Sequence, residues 1–237
     1  MVNFQDIVSL KIDMEDIKTA LRRALNLNFK DNLRDRSLLV ALDSKIRGFL
    51  GEIAIQKYLE ENNIIIEKGN TNVLNQNSNI DIDIKYKGKI LEIKTSLIPR
   101  NFENLCNVIE KGDIKIIKRK KKIEDENINI HIQIYYNCIR EDRDRFLEEL
   151  EEKDKEEFKN QFNGLSLEDI ITFMKLDSYI GKIFFVAWID KETLIKNIHT
   201  LYTQNPTWKF GYKEFWTCKI KDCNPPKSLI DYLKGLE

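Results

Sequence analysis

Histidine is almost missing from this chain, with His131 and His199 the two copies among 237 residues. That scarcity excludes a histidine-rich metal centre and a His-Glu-x-x-His zinc helix. Cys106, Cys138, Cys218 and Cys223 form no Cys-x-x-Cys pair, so zinc is not expected and free buried thiols are. No glycine-rich phosphate loop and no Gly-x-Ser-x-Gly elbow is present. Charge of one sign is also lacking: 39 Lys and Arg balance 39 Asp and Glu. A neutral chain is a poor coat for nucleic acid, although segregated charge still permits a specific contact. No apolar run approaches the roughly 18 residues of a membrane span, and no secretory leader is seen, so a soluble, cytoplasmic protein without a membrane partner is expected.

What is there is one striped segment, Ile80-Asp81-Ile82-Asp83-Ile84-Lys85-Tyr86-Lys87-Gly88-Lys89-Ile90-Leu91-Glu92-Ile93-Lys94. The alternation of apolar and polar residues predicts two strands, and Lys87-Gly88 suits a two-residue turn. With that turn, Tyr86 faces Lys89, Ile84 faces Leu91, Asp83 faces Glu92, Ile82 faces Ile93 and Asp81 faces Lys94. Opposed residues share a face, so the isoleucines and Leu91 meet a core while Asp81, Asp83, Glu92 and Lys94 cluster on the other side. Facing carboxylates repel unless neutralised. A hard divalent cation such as Mg²⁺, with Mn²⁺ as its substitute, takes oxygen ligands of this kind, and Lys94 would then lie beside a metal-bound water and a phosphate.

An Asp on one strand followed by acid-x-lysine on the next resembles the PD-(D/E)xK nuclease superfamily, the restriction-endonuclease-like fold. The match is Asp83 or Asp81, then Glu92-Ile93-Lys94. Upstream, Gly48 and Gly51 interrupt a helix expected over 44–59 that carries Glu52. Close packing is the expected reason for both glycines. Such a helix often adds a Glu to the metal site of these nucleases. Downstream, residues 127–136 alternate throughout and place Asn129, His131, Gln133 and Tyr135 on one face, with Gln133 positioned to orient water or phosphate. The resemblance implies an α/β fold whose core runs helix, three-stranded meander, helix, strand, with a mixed central sheet and helical additions. It implies a Mg²⁺-dependent DNA endonuclease, most like a type II restriction enzyme cutting double-stranded DNA as a homodimer. Asp83, Glu92, Glu52 and Asp81 would hold the metal. A structure-specific or repair nuclease and an inactive nuclease-fold DNA-binding module are the rivals.

The remainder divides into an N-terminal helical appendage over 1–40 and a core over 41–237, with a charged helical insertion near 140–178. A helix is expected over 14–29 and a short apolar segment over 37–42. Strands are expected over 113–117 and 182–189, and an aromatic, partly alternating segment over 207–220. Further helices are expected over 141–162, 167–174, 191–198 and 227–236. The run Lys118-Arg119-Lys120-Lys121-Lys122 reads as a loop with phosphate contact open to it.

Overall fold

The first helix begins where a reciprocal cap can form. The Asp13 carboxylate accepts from the Asp16 N–H at 3.0 Å, and Asp16 accepts from the Asp13 N–H at 2.9 Å, opening α1 (Met14–Leu25). Ile17, Ala20, Leu21 and Ala24 recur at helical spacing and are fully buried. The computed structural model from which these contacts come describes residues 1–26, 37–68, 84–153, 164–204, 206–210 and 213–236. The Ser37 hydroxyl caps α2 (Leu38–Glu61) by accepting from the Val40 N–H. The short apolar segment and the Glu52 helix are therefore one continuous helix, not two elements.

Among the described residues the main sheet has six strands in the order β1 (Val8–Leu10), β7 (Ile183–Asp190), β6 (Ile130–Ile139), β4 (Lys89–Ile98), β3 (Ile84–Tyr86) and β2 (Glu67–Lys68). Strands β4 and β6 are parallel and the other neighbours are antiparallel, so the sheet is mixed and the fold is α/β. In chain order, α2 leads into the antiparallel meander β2–β3–β4. Helix α3 (Leu105–Lys111) and strand β5 (Asp113–Ile117) then carry the chain to β6. The hairpin register is the expected one, with Ile84 facing Leu91 and Tyr86 facing Lys89. Lys87 at φ 43° and Gly88 at φ 74° form its turn, the left-handed pair that matches strand twist. The earlier half of the first strand, with Asp81 and Asp83, lies outside the described residues.

A second sheet, β5–β9–β8, is antiparallel and joins β5 to the hairpin of β8 (Thr207–Phe210) and β9 (Lys213–Lys219). Two cores result. One lies between α1, α2 and the sheet face bearing Leu91, Ile93, Ile132 and Ile134. The other lies between the opposite face, α3, the small sheet and α6 (Lys191–Thr200). Both faces of the main sheet are covered, which explains why β7 reads as a continuous apolar run. Two further helices, α5 (Leu167–Met174) and α7 (Ser228–Lys234), bury Ile170, Ile171, Met174, Leu229 and Leu233 in the first core.

Two organisational expectations need correction. The first 40 residues are not only a helical appendage: β1 forms the sheet edge against β7, and α1 belongs to the main core. The charged helix α4 (Arg140–Lys153) is not merely a solvated insertion, because Leu147 is fully buried and Arg143 reaches Asp43 in α2. Residues 154–163 of the expected insertion lie outside the described residues.

Candidate functional site

Strand β4 presents alternate residues to opposite faces, and Gly51 identifies which face α2 covers. A Cβ on Gly51 would meet Thr95 Cγ2 at 2.3 Å and Ile134 Cδ1 at 3.3 Å, so the helix backbone lies directly on the Ile93/Thr95 side of the sheet. Glycine is required there. Gly48 has open space around it and does not share that role. By alternation, Glu92, Lys94 and Ser96 point the other way, and the parallel register sets them beside His131, Gln133 and Tyr135 of β6.

Glu92 is the centre of this second face. It is 2% exposed. Its Oε1 accepts from Arg119 Nη2 at 2.6 Å and from Lys94 Nζ at 2.8 Å, while Oε2 lies 3.0 Å from His131 Nδ1. An ionised carboxylate only accepts, so Nδ1 is the protonated ring nitrogen in this contact. Burial pulls the Glu92 carboxyl upward, but Lys94, His131 and Arg119 together hold it well below the usual carboxylate range.

Arg119 arrives from the connector between β5 and β6. That connector is fastened by Glu126, itself buried, whose Oε1 accepts from the backbone N–H groups of Arg119 at 2.7 Å and Lys120 at 3.0 Å and from Trp216 Nε1 at 3.3 Å. Arg119 Nη1 is buried and has no hydrogen-bond partner. A buried guanidinium nitrogen left so is costly, and an oxygen of an anion beside it would relieve that cost.

The other expected site residues are distributed differently. Glu52 accepts from Arg23 Nη2 of α1 at 2.7 Å, and Arg23 also lies over the Phe49 ring. Because α2 covers the opposite face of β4, Glu52 does not join Glu92; its expected place in one shared metal site is corrected. Gln133 is 2% exposed, and its Nε2 donates to Ile134 O at 3.0 Å, Lys94 O at 3.2 Å and Ser96 Oγ at 3.3 Å. It ties β4 to β6 and does not face solvent, so the expected role in orienting water is corrected as well. Asp81 and Asp83 lie outside the described residues. His131 and Arg119, not Glu52 and Gln133, complete the surroundings of Glu92.

A second buried charge cluster lies in the helical core. Asp43 accepts from Arg47 Nε at 2.8 Å, Arg143 Nη2 at 2.6 Å and Tyr179 Oη at 2.7 Å. Burial pulls its carboxyl up, and the two guanidinium groups overcome that and hold it below its ordinary value. All its partners come from helices or from the turn at Leu176–Tyr179, and it joins those elements.

Among the described residues, no three His, Cys, Asp or Glu side chains are grouped to hold a metal ion. Among the described residues Glu92 is the one carboxylate in its cluster, and both its oxygens already have donors. Taken alone, this set does not fit a Mg²⁺ ion, which needs further oxygen ligands. The four cysteines are free thiols, and Cys106 is exposed, contrary to the expectation of burial for all four. No helix among the described residues is long and apolar enough to cross a membrane. Comparison with protein-family models, curated proteins and solved structures finds no match to this chain.

Proposed function

We propose that this protein is a metal-dependent DNA endonuclease built on a restriction-endonuclease-like core. One observation carries the proposal: helix α2, the meander β2–β3–β4, helix α3 and the parallel strand β6 follow one another in that order, and the acid-x-lysine falls on the third meander strand. Glu92 and Lys94 are ion-paired there, with Arg119 and His131 around them. Asp83 and Asp81, which the sequence alternation would set opposite Glu92 and Lys94, would supply the carboxylates that the described set lacks. Mg²⁺ bound among them would activate a water and stabilise charge on phosphate oxygens. Lys94 would contact the scissile phosphate, and the unpartnered Arg119 Nη1 supports an anion in the same place.

The test is a plasmid panel incubated with Mg²⁺ and the wild-type, Glu92→Gln and Lys94→Ala proteins. Discrete sequence-defined fragments support type II restriction of double-stranded DNA by a homodimer. Cutting confined to branched or ended DNA supports a structure-specific nuclease. No cutting by the wild type, or unchanged cutting by Glu92→Gln, removes the proposal.

A second reading has its own support. Arg119, Lys94 and His131 already neutralise Glu92. A DNA-binding module that cleaves nothing would need no more than that, and it predicts binding without Mg²⁺-dependent cutting.

A further inference from the structure

Cys218 and Cys223 are buried together in the second core, away from the residues around Glu92. Their sulfurs are 3.9 Å apart. A buried cysteine ordinarily packs as a small apolar group, but here each thiol has the other as a neighbour. The backbone is fixed at both positions. Cys218 lies in the β5–β9 ladder opposite Ile114. Cys223 closes the 3₁₀ turn Ile220–Asp222, its N–H donating to Ile220 O at 3.0 Å. That turn is held from two further sides: Ile220 N–H donates to Gly112 O at 3.0 Å, and Lys221 O accepts from Val2 N–H at 2.9 Å. A disulfide holds its sulfurs at about 2.05 Å, so this pair must close by about 1.9 Å.

The two thiols are not equivalent. Cys218 Sγ accepts from the Cys223 thiol at 3.9 Å and from Asn197 Nδ2 of α6 at 3.6 Å. Cys223 Sγ also faces the Lys219 carbonyl at 3.3 Å. The Cys223 hydrogen bond, with that from Asn197, draws the Cys218 thiol below its ordinary range against the effect of burial. The same contact and burial push the Cys223 thiol well above it. Cys218 is therefore the readier thiolate, and Cys223 keeps its proton.

We propose that Cys218 and Cys223 are a redox pair that a small hydroperoxide converts to an intramolecular disulfide. The Cys218 sulfur attacks a peroxide oxygen. An S–O bond forms, the O–O bond breaks, and the departing oxygen leaves with the Cys218 proton as water or an alcohol. The Cys223 sulfur then attacks the Cys218 sulfur. The S–S bond forms, the S–O bond breaks, and hydroxide leaves with the Cys223 proton as water. The two sulfurs lose two electrons in all, and the peroxide gains them. Exchange with an external dithiol reverses the bond. Its consequence is mechanical. Asn224, next in the chain, exchanges backbone hydrogen bonds with Trp188 of β7 at 2.8 and 3.1 Å, and Pro225 O accepts from Trp188 Nε1 at 3.0 Å. The disulfide therefore fastens the small sheet to the strap that β7 holds. The proposal does not depend on the nuclease reading.

The experiment is treatment of the folded protein with hydrogen peroxide, alkylation of the remaining thiols with iodoacetamide in urea, and tryptic mass mapping. Cleavage after Lys213, Lys219, Lys221 and Lys227 puts the two cysteines in separate peptides, 214–219 and 222–227. The expected product is these two peptides joined, two hydrogens lighter than their sum, and separated by dithiothreitol. The oxidised protein should melt about 5 °C above the reduced one, because the bond restricts the unfolded chain. Cys223→Ser should lose both the cross-link and the melting shift, and Cys106→Ser, at an exposed position, should keep both. Full alkylation of Cys218 and Cys223 after peroxide overturns the proposal. So does a cross-link routed to Cys106 or Cys138, or one that forms only when urea is present during oxidation. An unchanged or lower melting temperature in the cross-linked protein overturns the fastening.

Discussion

Glu92 concentrates the chemistry of this molecule in one carboxylate. With Arg119, Lys94 and His131 on its two oxygens, it stabilises the fold as an ion and is costly to neutralise. Its carboxyl is held below its ordinary value of 4.5, so its contribution is complete above that pH and is lost as pH falls further. Urea unfolding of the wild type between pH 7 and pH 3 should show this acid loss, and Glu92→Gln should flatten it. At neutral pH Glu92→Gln should cost about 3 kcal/mol, because the partly buried Lys94 and Arg119 lose their buried counter-charge. In the proposed nuclease it should also lower Mg²⁺-dependent cleavage at least about 100-fold. Arg119→Met is informative in the opposite direction. It removes one of the two cationic donors on Glu92 Oε1 and leaves Lys94 there, and calorimetric titration should show tighter Mn²⁺ binding; weaker binding would count against Glu92 as a ligand.

At the scale of elements, the crossing of α2 over β4 is set by one missing side chain. Gly51→Ala would drive a methyl against Thr95 Cγ2 and should destabilise by about 1–3 kcal/mol. Gly48→Ala, in open space on the same helix, should instead stabilise by up to about 1 kcal/mol. Thermal melts of the two variants should therefore shift in opposite directions. Their sequence signals are identical, two glycines in one apolar helical pattern, and spacing assigned both to close packing. Only the sheet beneath α2 distinguishes them. The hairpin was legible because its information is local: turn residues, alternation and register all lie within a few positions. Strand β5 and helix α5 have the bounds that their patterns predict. Helix α2 extends further because Ser37 caps a helix seven residues before the expected start.

Across the whole molecule, buried charge joins parts that are distant in sequence. Asp43 binds Arg143 across 100 residues, and Tyr179 across 136. Asp43→Ala should cost about 3–5 kcal/mol by leaving Arg47 and Arg143 buried without their partner. Denaturant unfolding measures it, and a loss under 1 kcal/mol would show that the cluster is dispensable. The N-terminal segment is similarly long in reach, since β1 has no neighbour in sequence and finds β7 at the sheet edge.

The sequence by itself determined the periodic elements, the hairpin turn, the acid-x-lysine and the blocks of charge, because each depends on residues close along the chain. Tertiary structure decided what those residues face. It set Glu52 against Arg23 and Glu92 against Arg119 on opposite sides of one strand. It turned Gln133 into a buried tie between strands, and it fastened the connector carrying the lysine run to Glu126. These pairings depend on which side of a sheet each helix and connector covers. That choice follows from the burial of whole apolar faces, and no short stretch of sequence encodes it.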